Sequence, residues 1–179
     1  MWNAVSEKAT NDTDFSKYII HYDYKAQQTG FVQPYADSPM DNEQVGEEVY
    51  ISMINKAENY CWFMTPYLII TDEMTHALCL AAKRGGDVRI ITPGFCHAKM
   101  SIVDDCMATC GTINLDYRSL YHHFENGCFM ADCQAVVEIK NDLIRTMGEC
   151  RDVTDQYCTG RSAYLRLGQL FMRLFAGLL

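Results

Sequence analysis

The chain has 179 residues, 49% hydrophobic and 21% charged, with 4 Pro and 11 Gly, a balance that excludes a disordered tail and lets one unit bury a full core without disulfide or metal staples. Fifteen Lys plus Arg against 23 Asp plus Glu give a net charge of -8 with no basic run, which argues against nucleic acid as a bulk electrostatic partner but leaves room for a local phosphate pocket. No stretch accumulates about 18 apolar residues, so no membrane-spanning helix is expected.

Residues 1–42 have weak periodicity and many turn formers, among them Pro34 and Pro39, and read as an irregular lead-in with one strand-like run at 18–22. Met1-Trp2 opens without a charged n-region or an apolar h-region, so no signal peptide is expected, and the start reads as internal to a longer protein. Over 43–59, Val49, Met53, Ile54 and Ala57 recur at helical spacing with Glu47 and Glu48 in the early turns, predicting an amphipathic helix. A short strand follows at 61–64, ended by Thr65-Pro66. Thr71 or Asp72 caps the next helix, whose face is Met74, Ala77, Leu78 and Ala81 and whose stop is Gly85-Gly86.

Residues 88–92 read as a buried strand, and the helix-strand rhythm is that of an α/β domain. Strands are predicted at 95–103 and 107–110, joined at Asp104-Asp105, then a polar loop, a strand at 128–130 and a helix over 135–147. Residues 164–179 form an amphipathic pattern, with Tyr164, Leu167, Phe171, Leu174, Phe175 and Leu178 on one side. It reads first as a cap on the core and second as a membrane-surface helix. The nine cysteines are odd in number and contain no Cys-x-x-Cys pair, so they read as reduced thiols. Cys106, Cys110, His122 and His123 match no common zinc spacing.

Inside the predicted strand 95–103, a period of two sends His97 and Lys99 to one face. Asp104 falls five residues past Lys99, about 17 Å along an extended strand, too far to touch the same substrate atom. After this His-x-Lys-x4-Asp spacing come Gly111-Thr112-Ile113-Asn114-Leu115-Asp116-Tyr117-Arg118-Ser119 and Phe124-Glu125-Asn126-Gly127, supplying a hydroxyl, an amide and a carboxylate. His122 and His123 are adjacent, cannot both join one site, and read as structural or rim residues. Asp116 and Arg118 read equally as headgroup contacts or as an internal ion pair.

These strings resemble the C-terminal catalytic motif of the phospholipase D superfamily. Gln33-Pro34-Tyr35-Ala36-Asp37-Ser38-Pro39, Met64-Thr65-Pro66-Tyr67-Leu68-Ile69-Ile70, Asp87-Val88-Arg89-Ile90-Ile91-Thr92-Pro93-Gly94 and the closing Leu174-Phe175-Ala176 narrow the resemblance to bacterial cardiolipin synthases. It implies an α/β fold, a phospholipase D-like α-β-α sandwich with a mixed sheet that is one half of a pseudo-twofold pair. Residues 43–160 would be the catalytic half-domain and 161–179 a C-terminal amphipathic helix. Family members carry two motifs, one in each half, behind membrane-spanning segments, whereas this chain has one motif and none of those segments.

The implied reaction transfers a phosphatidyl group from one phosphatidylglycerol to another through a phosphohistidine at the plasma membrane, with no metal or other cofactor. His97 would be nucleophile or acid/base, the second-half precedent leaning to acid/base. Lys99 and Asn114 would hold phosphate oxygens with help from Thr112, and Glu125 would accept the N–H of a motif histidine. Asp104 belongs to the motif by name, although its spacing makes it a turn residue. The implied partners are phosphatidylglycerol, an anionic membrane surface, and the missing first half or a second copy, so that the chain alone, soluble or peripheral, would have little activity. Two rivals stand beside this reading: a homodimeric single-motif phosphodiesterase or nuclease, and a non-catalytic fragment.

Where the family continues past Thr-Pro-Gly with another helix and strand, Gly94 runs straight into Phe95-Cys96-His97, which implies an internal deletion. Parallel strands need a crossover of a dozen or more residues. The strands on either side of Gly94 are therefore expected to form a hairpin or to rearrange the sheet. The lost helix is expected to leave apolar surface uncovered and the chain marginally stable.

Overall fold

The apolar residues of one short segment organise both halves of the core. In β2 (Tyr60–Met64), Cys61 and Phe63 point to one sheet face and Trp62 and Met64 to the other, as strand alternation requires. The first pair packs with Tyr50, Met53 and Ile54 of α1 (Val45–Lys56) and with Met74, Ala77, Leu78 and Ala81 of α2 (Asp72–Lys83). The second pair packs with Val136 and Leu143 of α4 (Gln134–Glu149). Each large side chain buried in these two clusters contributes about 2 kcal/mol.

The computed structural model describes residues 14–21, 23, 25, 29–92, 94, 96–158, 163–173 and 175. Besides the elements named, it contains β1 (Phe31–Asp37), β3 (Leu68–Ile69), β4 (Asp87–Ile91), β5 (Met100–Val103), β6 (Met107–Gly111), β7 (Leu115–Asp116), α3 (Tyr117–Tyr121), β8 (Glu125–Ala131), α5 (Thr154–Cys158) and α6 (Ala163–Arg173). The six-stranded sheet has the order β1-β8-β6-β5-β2-β4, mixed because β2 runs parallel to β4 and antiparallel to β5; β3 and β7 form a separate parallel pair. With α1 and α2 on one face and α4 on the other, this is the α-β-α sandwich expected. No helix among the described residues is long and apolar enough to cross a membrane.

Local chemistry sets the helix starts. Thr71 caps α2 by accepting the Met74 N–H at 3.1 Å, as predicted. Gln44 gives α1 no side-chain cap, and the Asp37 carboxylate at the end of β1 accepts the Val45 and Gly46 N–H groups instead, at 3.0 and 2.7 Å. A Cβ on Gly46 would stand 2.6 Å from Asp37 Oδ2, so a larger residue here would have to displace the capping carboxylate.

Several expectations are corrected. Residues 95–103 do not form one strand, since β5 begins at Met100 and 96–99 are irregular. The strands flanking Gly94 do not pair with each other either. β2 lies between them, with Met64 opposite both Ile91 and Met100, so the end of β4 and the start of β5 stand only two strand spacings apart, about 10 Å. The apolar surface uncovered on edge strand β4 is small: Ile90, opposite Phe63, is 37% exposed, while on the other face Trp62 is sheltered by the Arg89 guanidinium 5.3 Å from its ring.

The run at 18–22 is not a strand over its described residues: Ile19 and Ile20 are exposed and join no ladder, and Tyr22 lies outside the described residues. Conversely, the stretch read as irregular contains β1, an edge strand where Pro34, lacking an N–H, is tolerated. Finally, α6 does not cap the core, because Tyr164, Leu167 and Phe171 are 87%, 64% and 61% exposed; Leu174 and Leu178 lie outside the described residues.

Candidate active site

Strand direction gathers the motif at one end of the sheet. Asp37 pairs with Glu125, Gly111 with Gly127, Met100 with Cys110 and Met64 with Met100. The ends of β1, β2, β4 and β6 and the starts of β5 and β8 therefore share one edge, which also carries His97, Lys99, Thr112, Asn114 and Glu125.

Lys99, just ahead of β5, is 8% exposed, and its Nζ donates to the His97 carbonyl at 3.0 Å. Burial lowers its ammonium pKa below the ordinary lysine value, against the opposing pull of the Glu125 and Asp116 carboxylates. His97 stays exposed at the rim, its ring edge-on to Tyr67 at 6.0 Å between centroids. The two side chains thus do not share a strand face, because the period of two starts only at Met100. They meet through the lysine head and the histidine backbone.

Gly111 lets β6 approach β8 closely, since a Cβ there would stand 2.3 Å from the Asn126 carbonyl oxygen. The approach brings the Thr112 hydroxyl onto Glu125 Oε2, to which it donates, while it accepts the Asn126 N–H at 2.9 Å. Thr112 therefore offers its proton to the carboxylate and orients Glu125, with the Asn126 carbonyl at 3.3 Å as a second acceptor. Glu125 is buried, and its other oxygen faces His123 Nδ1 at 3.7 Å; among the described residues it makes no hydrogen bond to His97. Arg118 Nε donates to His123 Nε2 at 3.1 Å, which turns the Nδ1 side of the ring toward Glu125. His123, which by adjacency reads as a rim residue like His122, thus belongs to the site, and its place two residues before Glu125 is the signal for it in the sequence.

Asn114 follows β6 on a loop held from two sides: Tyr50 OH donates to the Ile113 carbonyl at 3.2 Å, and the Leu115 N–H donates to Thr65 Oγ1 at 3.2 Å. Its Nδ2 donates to Ser119 Oγ at 2.9 Å, while Oδ1 is buried without a partner among the described residues. Asp116 caps α3 by accepting the Ser119 N–H at 2.7 Å, a structural duty, and makes no ion pair with Arg118 among the described residues.

Asp104 lies at the opposite end of the sheet, in the β5–β6 turn with φ at 48°. Its carboxylate accepts the N–H groups of Glu58, Asn59 and Tyr60 at 2.5, 2.9 and 2.7 Å. A cleft of about 900 Å³ near that end, lined in part by Lys56, Arg84 and Phe129, lies away from the motif edge.

Comparison with known proteins bears on this arrangement. The family model described as cardiolipin synthase, PLD-like domain, matches residues 50–94 and 92–147. An uncharacterized protein of Streptococcus mutans is 40% identical over 210 positions, covering 100% of this chain and 45% of that protein. The cardiolipin synthase of Halalkalibacterium halodurans is 27% identical over 181 positions, covering 84% of this chain and 36% of that enzyme. The chain thus spans less than half the length of these curated relatives. Since 210 aligned positions face 179 residues, about 31 positions of the Streptococcus mutans protein have no counterpart here, and the family match divides at 92–94, where the deletion was expected.

Among solved structures, NucT from Helicobacter pylori superposes with a TM-score of 0.59 at 16% identity, over 68% of this chain and 98% of that one. The phospholipase D family member Nuc from Salmonella typhimurium gives 0.54 at 19%, over 67% and 93%. With the sandwich shared by these structures, the family match continuing on both sides of Gly94 over more than half of its length, and the motif gathered at one sheet edge, the chain belongs to the cardiolipin synthase, PLD-like domain family.

Proposed function

We propose that this chain is the second catalytic half of a phosphatidyltransferase that joins two phosphatidylglycerols into cardiolipin and releases glycerol. The observation that carries the reading is the collection of His97, Lys99, Asn114 and Glu125 at one sheet edge of a chain matched by the cardiolipin synthase family model. In the first step an imidazole nitrogen attacks phosphorus, a nitrogen–phosphorus bond forms, and the bond from phosphorus to the glycerol oxygen breaks. A second histidine gives its proton to that oxygen. In the second step the same histidine takes the proton of a hydroxyl on another phosphatidylglycerol, whose oxygen attacks phosphorus and expels the first imidazole.

His97, open at the rim, takes one of these roles, acid/base by preference. Lys99 faces the non-bridging oxygens from a poorly hydrated position, where its charge acts more strongly than in water. Asn114 adds N–H donation. Glu125 meets Thr112 and His123 and not His97 among the described residues, which suits the reading that the motif histidine it orients comes from another half and that the chain alone turns over little.

An anionic membrane surface is the partner that α6 supports. Residues 156–179 hold Arg161, Arg166 and Arg173 and no acidic residue, in a chain of net charge -8. Each arginine is worth about 1 kcal/mol near such a surface, and the exposed Leu167 and Phe171 suit the headgroup boundary. The test is phosphatidylglycerol turnover in mixed micelles by wild type and His97→Ala, with particle mass from light scattering. The reading expects little turnover from a monomer and loss in the variant of any turnover a dimer shows. Turnover that survives His97→Ala overturns it.

A further inference from the structure

The amide of Asn114 is held at one end only. Its Nδ2 donates to the Ser119 hydroxyl at 2.9 Å, whereas Oδ1 is buried with no partner among the described residues, an arrangement that leaves a desolvated acceptor unsatisfied. Ser119 is itself fixed: it is 2% exposed, sits in the first turn of α3, and its N–H is tied to Asp116 Oδ1 at 2.7 Å. A hydroxyl both donates and accepts, and an amide turned by 180° occupies the same space. In the turned state the Ser119 hydroxyl donates to Oδ1, and the two Nδ2 protons take the position now without a partner. They then need an acceptor, and an anionic oxygen arriving beside Lys99 is one.

We propose that Ser119 is a positioning residue that selects the donor orientation of Asn114 when a phosphate group binds. The inference rests on the reading of Lys99 and Asn114 as phosphate contacts and adds the group that decides which end of the amide faces the phosphate. Without an anion the amide rests with Nδ2 on Ser119. With a phosphate bound it turns, the Ser119 hydroxyl rotates to donate a hydrogen bond to Oδ1, and Nδ2 donates to a non-bridging oxygen. Ser119 touches no substrate atom and acts only through Asn114.

The test is titration with inorganic phosphate followed by NMR, reading the side-chain amide resonance of Asn114, assigned by its loss in Asn114→Ala. Wild type should show that resonance shifting along the binding curve. Ser119→Ala should weaken phosphate binding five- to tenfold, Ser119→Thr should restore it, and Ser119→Ala should have no further effect in the Asn114→Ala background. Should Ser119→Ala not fold, the wild-type resonance decides the matter alone. Phosphate binding with a stationary Asn114 resonance, or an equal Ser119→Ala loss in both backgrounds, overturns this inference only. No phosphate binding by wild type, or unchanged binding in Lys99→Met, overturns the phosphate-site reading and this inference with it.

Discussion

Asp104 separates a motif residue's name from its work. Asp104→Ala removes an acceptor shared by three backbone N–H groups, at 2.5, 2.9 and 2.7 Å. The Tyr60 amide is part-buried and loses about 1.5 kcal/mol of charge-assisted bonding, while the exposed Glu58 and Asn59 amides find water and lose about 0.5 kcal/mol each. Alanine tolerates the φ of 48° less well than aspartate, adding up to about 1 kcal/mol. The sum is about 3 kcal/mol, and Asp104→Asn, which keeps one acceptor and the left-handed preference, should lose about 1 kcal/mol. In urea unfolding, with a slope of about 2 kcal/mol per molar, the alanine midpoint should fall by about 1.5 M. Phosphate binding at the other sheet end, about 17 Å away, should not change. An unchanged midpoint together with lost phosphate binding would refute the structural assignment.

Three further outcomes follow from the geometry. Lys99→Met removes a desolvated charge and should leave the urea midpoint equal or higher while abolishing phosphate binding; a large fall in stability would contradict the burial argument. Gly111→Ala forces a Cβ against the Asn126 carbonyl and should cost about 2 kcal/mol or more in thermal unfolding, with an unchanged Tm as the contrary result. Burial raises the pKa of the Tyr50 phenol above its ordinary 10.0, so its stabilisation is complete below pH 10 and is lost above it as the unfolded chain ionises first, at about 1.4 kcal/mol per pH unit. Half-buried Tyr35 acts in the same direction; Lys99, lowered from 10.5, acts oppositely between its lowered value and 10.5, so urea midpoints should fall above about pH 10 and a rise would contradict this balance.

Elements whose period is written locally were legible in the sequence. The 3.6 spacing of Met74, Ala77 and Ala81 and the Thr71 cap identify α2, and the apolar run at Cys61 identifies β2. Elements that depend on distant partners were not. β1 is an edge strand with a proline, and β3 and β7 are two residues each, held by pairing across more than forty positions. The site showed the same division. The motif names His97, Lys99, Asn114 and Glu125, but the inward turn of Lys99, the Thr112–Glu125 bond and the place of His123 depend on how β6 meets β8 at Gly111. The deletion after Gly94 is readable in the sequence, whereas its accommodation depends on β2 standing between β4 and β5.

The measurement that tests the central claim most directly is product identity when this chain is combined with a first-half fragment of a cardiolipin synthase and phosphatidylglycerol in mixed micelles. The account predicts cardiolipin and glycerol in equal amounts, appearing only in the combination and lost with His97→Ala. Phosphatidic acid as the product, or cardiolipin formed without His97, would contradict it.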